Sequence, residues 1–365
     1  MKNKLVGDLM VLSSLKTLGL QSDDFINLFM DLVYRLSVYE TVDTKVGMKN
    51  VLRRWEVISS YQKSVRRGAG ELAIRAVDAI CSRPEFLGDL WRRVVVTAAE
   101  DVGPANKPLV YLCMLCEEKL NKGKITSADV SFHRNVIQFL TNEMCSSAHR
   151  SRDWCRLSII ENALGGLTTP SAGLMSKGVM LCKDRPNVMG VDEVTRLGAI
   201  ETQVVLAKNA EHYSLSKWVH SKSWRNEYMS KFWEVALNLE QLPNVPSEFT
   251  MQYGLPSYCL DMHTKLGKWA INKMISHLKK SDDALFLEIK NVEKLMGYIL
   301  FFVEGGSIRD EIADLWLDTL EKRIVFEKFG ISLERGMELS HKVKWMMQTG
   351  WLDSTRLQLV KATYQ

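Results

Sequence analysis

Proline is scarce in this chain, eight in 365 residues, and strand-like alternation bounded by turn residues is scarcer still. A sheet-rich fold is therefore not expected. No stretch of about 18 apolar residues runs without a charge, the minimum for a membrane span. The basic start Met1-Lys2-Asn3-Lys4 leads into an apolar stretch broken by Asp8, Ser13, Ser14 and Lys16, with no small-residue cleavage site. This reads as no signal peptide, and a cytoplasmic location is expected. The seven cysteines, Cys81, Cys113, Cys116, Cys145, Cys155, Cys182 and Cys259, are odd in number and sit mostly in apolar helical stretches. They suit free thiols in a reducing compartment better than a disulfide framework.

Nucleotide-handling loops are also missing. Neither Gly123-Lys124 nor Gly267-Lys268 has the upstream glycine and following Ser/Thr that let a backbone loop cradle phosphates. No dinucleotide fingerprint and no G-x-S-x-G elbow is present. The expectation is a protein that is not an enzyme and carries no cofactor. Cys113 and Cys116 form a C-x-x-C on an apolar helix, but no second Cys or His pair stands at zinc-finger spacing. Asp261-Met262-His263-Thr264 precedes a helix; it offers Asp and His for a metal or for acid–base work, and equally a capping turn, which is the simpler reading. His133 carries no functional reading.

What the sequence has is helical periodicity almost throughout. Phe25, Phe29, Val33 and Leu36 share a face over 23–39, and Val51, Leu52, Trp55, Ile58 and Val65 do so over 48–65. Further helices are predicted at 71–81, 87–100, 109–120, 128–144, 192–220, 224–241, 264–279, 283–303, 308–326 and 333–347. Short loops between them predict an all-α, multi-helix array of antiparallel amphipathic neighbours. Gly165, Gly166, Pro170, Gly173, Gly178, Pro186 and Gly190 place a hinge at 166–190, between a helical domain at 1–165 and a second at 191–365.

Glu100-Asp101-Val102-Gly103-Pro104 ends one helix with two carboxylates where the helix dipole is already negative, so cationic or N–H partners are required. Lys63, Arg66, Arg92 and Arg93 are the candidates, which predicts an ion-pair cluster with Glu100 and Asp101 that locks helix ends together. The alternative has the cluster facing a partner or a nucleic-acid backbone. Tyr61-Gln62-Lys63-Ser64-Val65-Arg66, followed by Trp91-Arg92-Arg93-Val94 and Ala98-Ala99-Glu100-Asp101-Val102-Gly103-Pro104-Ala105, resembles the C-terminal helical region of the replication-associated recombination protein A (RarA/MgsA) family. That resemblance, over residues 50–165, implies a clamp-loader-collar-like, oligomerising helical domain working near single-stranded DNA, with a phage-encoded protein as one reading. Only about fifty residues precede it, so the family's ATPase module is missing; Arg67 interrupts the Arg-Gly pair, and Ala99 replaces a serine.

Cations interleave with aromatics at His149-Arg150-Ser151-Arg152-Asp153-Trp154 with Arg156, and again from Lys217-Trp218 through Lys222, Trp224, Arg225, Tyr228 and Lys231. Such mixtures neutralise phosphates and stack on unpaired bases; they also arise when tryptophans pack a core and the charges face water. With a net charge of +5, these residues nominate Arg150, Arg152, Lys217, Lys222 and Arg225 as phosphate contacts and Trp218 or Trp224 as a stacking residue. The function expected is a non-enzymatic accessory protein of DNA replication or recombination that binds single-stranded DNA and recruits replication or transcription proteins. Two alternatives stay open, a phage transcription factor that brings an RNA polymerase to single-stranded DNA, and a pure protein scaffold or homo-oligomer.

Overall fold

The structure is a computed structural model that describes residues 2–10, 23–44, 48, 52–121, 129–153, 155–156, 240–241, 251–313 and 315–364. It is an all-α, multi-helix fold. The helices are α1 (Lys2–Met10), α2 (Asp23–Val38), α3 (Arg54–Arg66), α4 (Gly70–Cys81), α5 (Leu87–Thr97), α6 (Lys107–Leu120), α7 (Val130–Ser146), α8 (Lys265–Ser281), α9 (Val292–Leu300), α10 (Leu315–Lys328), α11 (Leu333–Gln348) and α12 (Trp351–Tyr364). Two minimal antiparallel pairs accompany them. β1 (Glu240–Gln241) meets β4 (Ile312–Ala313), and β2 (Met251–Gln252) meets β3 (Leu255–Pro256). The second pair turns through Tyr253 and Gly254, both at positive φ (55° and 79°) as a two-residue hairpin requires. No described helix is long and apolar enough to cross a membrane.

Local chemistry sets the boundaries. α3 begins at Arg54 rather than at 48, because Glu56 reaches back to accept the Arg53 N–H at 3.1 Å. The helix predicted at 283–303 starts only at Val292, where the Asn291 side chain accepts the Lys294 N–H at 3.1 Å. The helix predicted at 308–326 begins only at Leu315, after Ile312 and Ala313 in extended form. Helix α5 does not reach Glu100 in α-form but loosens at Ala98–Val102 into a π-helical turn; α9 does the same at Phe301–Gly305. Helices α1 and α12 were not expected; the helix predicted at 192–220 and the 166–190 boundary lie outside the described residues, and of the helix predicted at 224–241 only Glu240 and Gln241 are described, as strand β1 and not helix.

The apolar faces read from the sequence are the ones buried. Phe25, Phe29, Val33 and Leu36 of α2 pack in the first of two core clusters with residues of α3–α7. That same cluster takes in Leu255, Tyr258, Cys259, Leu260, Leu266, Leu320, Ile324 and Val360, so described residues on both sides of 166–190 share one core. The second cluster joins α8, α9, α10, α11 and α12.

Two side chains in the first core tie stability to pH. The fully buried Trp91 indole N–H donates to His133 Nδ1 at 2.9 Å, which requires that nitrogen to be unprotonated. Burial lowers the His133 pKa from 6.5. Its contribution is therefore present above the unfolded value and lost as pH falls through the folded one. Denaturant midpoints measured on either side of pH 6.5 should drop on the acid side, and less so in His133→Gln, whose amide oxygen accepts the same bond without titrating. An identical drop in both proteins would refute the coupling.

Candidate nucleic-acid interface

Arg150 and Arg152 do not reach the surface, contrary to the expectation that they meet phosphates. Arg150 is fully buried and spends its guanidinium on backbone carbonyls: Met144 (3.1 Å), Cys145 (2.6 Å) and Ser147 (3.3 Å) at the end of α7, Arg66 (3.2 Å) at the end of α3, and Arg309 (3.2 Å). A cation there satisfies orphan carbonyls and opposes the negative ends of two helix dipoles. Arg152, 3% exposed, lies over the Phe301 ring at 4.5 Å and bonds Glu321 at 3.3 Å. Arg156 is held by Asp153 (2.9 Å), Glu311 (2.7 Å) and Asp318 (3.0 Å). All three are interior fasteners. Lys217, Trp218, Lys222, Trp224 and Arg225 lie outside the described residues.

The predicted ion-pair cluster is assembled in part, with different pairings. Arg66 Nε bonds Asp101 Oδ1 at 2.6 Å, and its Nη1 donates to the Gly305 carbonyl at 2.8 Å, so one side chain of α3 joins both π turns. Lys63 turns away from Glu100 to Asp261 (2.6 Å) and Ser59 (2.7 Å). Glu100 receives a 3.3 Å bond from Gln62, which accepts one from Arg93 at 3.3 Å; burial, with Asp101 adding to it, raises the Glu100 pKa. Arg92 stays 62% exposed beside Asp89. Gly103 holds φ +54°, and a Cβ there would sit 2.3 Å from the Ser151 carbonyl, so only glycine lets this turn close on the chain after α7. The whole motif is built as a joint between helices.

The other polar candidates are also occupied structurally. Asp261 Oδ1 accepts the His263 backbone N–H at 2.9 Å, and the Thr264 hydroxyl accepts the Gly267 N–H at 3.0 Å, which is a capping turn. Burial works to raise the Asp261 pKa, but the charges of Lys63 and His263 and the hydrogen bonds from both residues together outweigh it and leave the carboxyl below its usual range. Cys113 and Cys116 are buried in α6, and burial pushes both thiols up. Among the described residues, no three His, Cys, Asp or Glu gather where a metal could be held.

One surface does combine cations with aromatics. Helix α8 reads KLGKWAINKMISHLKKS and carries Lys265, Lys268, Lys273, Lys279 and Lys280 with no acidic residue, a charge equal to the formal surplus of the entire chain. Its buried face is Leu266, Gly267, Ala270, Ile271, Met274 and Leu278. Every lysine lies on the opposite, exposed face with Trp269, Asn272, Ser276 and His277. Among the described residues none of the five lysines pairs with a carboxylate; Asp261 is taken by Lys63 and Asp282 by Lys342 at 3.0 Å. Lysines in a first turn oppose the helix dipole, so Lys265 and Lys268 are not placed for the stability of α8. Trp269 is 41% exposed, with Lys265 Nζ 4.9 Å over its ring. About 12 Å further along, two turns on, His277 stacks at 4.8 Å on Trp351 of α12.

The signal for this surface was in the sequence as a run of lysines without acids, legible once 265–281 is drawn as a helix. Attention to arginine and tryptophan clusters passed over it. Comparison with family models, curated proteins and solved structures finds no match to this chain.

Proposed function

We propose that this protein is a non-enzymatic accessory factor of DNA replication or recombination that binds nucleic acid, single-stranded DNA above all, through the exposed face of α8. The observation that carries the reading is the alignment of Trp269 and five lysines, none paired with a described carboxylate, on one acid-free helix face. A polyanion releases counterions when such a row neutralises its phosphates. The apolar side of α8 is buried in the protein core, so the helix has no face left to sink into a lipid surface, and its amphipathicity serves folding.

The test is fluorescence anisotropy with a labelled single-stranded oligonucleotide over a range of salt. If all five lysines meet phosphates, log K should fall against log salt with a slope of about −3.5, a loss of about 100-fold between about 50 and about 200 mM. Binding absent at the lower concentration, or insensitive to salt, would remove this function.

A further inference from the structure

We infer that Trp269 is a base-stacking residue, which makes α8 selective for unpaired nucleobases and not merely for phosphate charge; this rests on the nucleic-acid reading above. A tryptophan in a helix that has a buried apolar face normally turns into it. Here the buried face is filled by Leu266, Ala270, Ile271, Met274 and Leu278, and Trp269 stands on the other side amid the lysines.

Lys265 Nζ lies over the indole at 4.9 Å, close enough for a cation–π contact, and the tryptophan remains 41% exposed. A strand arriving along the lysines offers Lys265 a phosphate, and the ring face it leaves is the size of a base. Lys265 and Lys273 stand four residues before and four residues after Trp269, placing a cation for the phosphate on each side of a stacked nucleotide.

A duplex cannot use this arrangement. Its bases are already stacked inside, so only its backbone would meet the lysines. Reading a groove needs a helix that stands proud of its domain, whereas α8 packs against both α9 and α12. An unpaired strand has every base available, and stacking on an aromatic ring tolerates any sequence. The ligand class is therefore single-stranded nucleic acid, with modest sequence preference.

The experiment compares three probes of equal phosphate number on the full chain: a single-stranded oligonucleotide, an abasic phosphodiester strand of the same length, and a duplex of half that length. Single-stranded DNA should bind about 10-fold more tightly than the abasic strand. Trp269→Ala should erase that difference while leaving the salt slope unchanged, and Trp269→Phe should retain part of it. Unchanged thermal melting of the exposed-site variants shows that folding is not the cause. Equal affinity for abasic and base-bearing strands, with no effect of Trp269→Ala, overturns the stacking role and leaves α8 a phosphate-binding face. Failure of all three probes to bind overturns both readings.

Discussion

Arg150→Ala combined with Arg152→Ala is expected to leave the protein largely unfolded at room temperature, with no cooperative melting transition. Arg150 serves five carbonyls from three segments, and its guanidinium is fully buried. Each carbonyl left without a donor costs about 1–3 kcal/mol, and the vacated volume adds to that. Removing Arg152 also strips Glu321 of one of its two cations, with Arg156 Nε left at 3.7 Å. Breaking a buried ion pair on one side costs about 3–5 kcal/mol, so the double variant forfeits most of the roughly 5–15 kcal/mol that stabilises an ordinary domain. Circular dichroism against temperature decides the matter. A variant that melts like the parent but binds DNA with a shallower salt dependence would return these arginines to the surface.

The opposite behaviour is expected on α8. Lys268→Glu with Lys273→Glu changes two exposed residues that pair with no described carboxylate, and substitutions of that kind shift stability by less than about 0.5 kcal/mol. Single-strand affinity at low salt should nevertheless fall about 100-fold, because two phosphate contacts are lost and two repulsions gained, and the salt slope should shrink by about 1.4. The melting temperature should stay put. Unaltered affinity in a folded variant would mean that phosphates are met elsewhere.

Periodicity was enough to read the helices, since the apolar stripe of α2 at Phe25, Phe29, Val33 and Leu36 is buried as drawn. Caps were harder. The start of α9 depends on Asn291 in a left-handed conformation at φ 56°, a state no propensity announces. The two π turns were invisible for a related reason: each is dictated by what lies across the fold, Arg66 reaching Asp101 in one and the Gly305 carbonyl in the other.

Individual side chains were placed wrongly where their partners are distant in sequence. Arg150, Arg152 and Arg156 look like a cationic patch until Arg309, Glu311, Asp318 and Glu321, more than 150 residues later, are brought beside them. Of the cluster expected from Lys63, Arg66, Arg92, Arg93, Glu100 and Asp101, the Arg66–Asp101 pair forms, whereas Asp261, which closes the turn into α8, takes Lys63. Arg66 thus sits in the joint on which α3, α5 and α9 meet. The basic helix itself needed no distant partner to be recognised, since its charge pattern is entirely local.

Photo-crosslinking tests the central claim most directly. The full chain is irradiated with a single-stranded oligonucleotide carrying 5-bromouracil, and the adducted peptides are identified by mass spectrometry. Adducts should concentrate between Lys265 and Lys280, with Trp269 foremost, and should disappear in Lys268→Glu/Lys273→Glu. Adducts confined to other segments, 217–225 among them, with none on α8, would contradict the account.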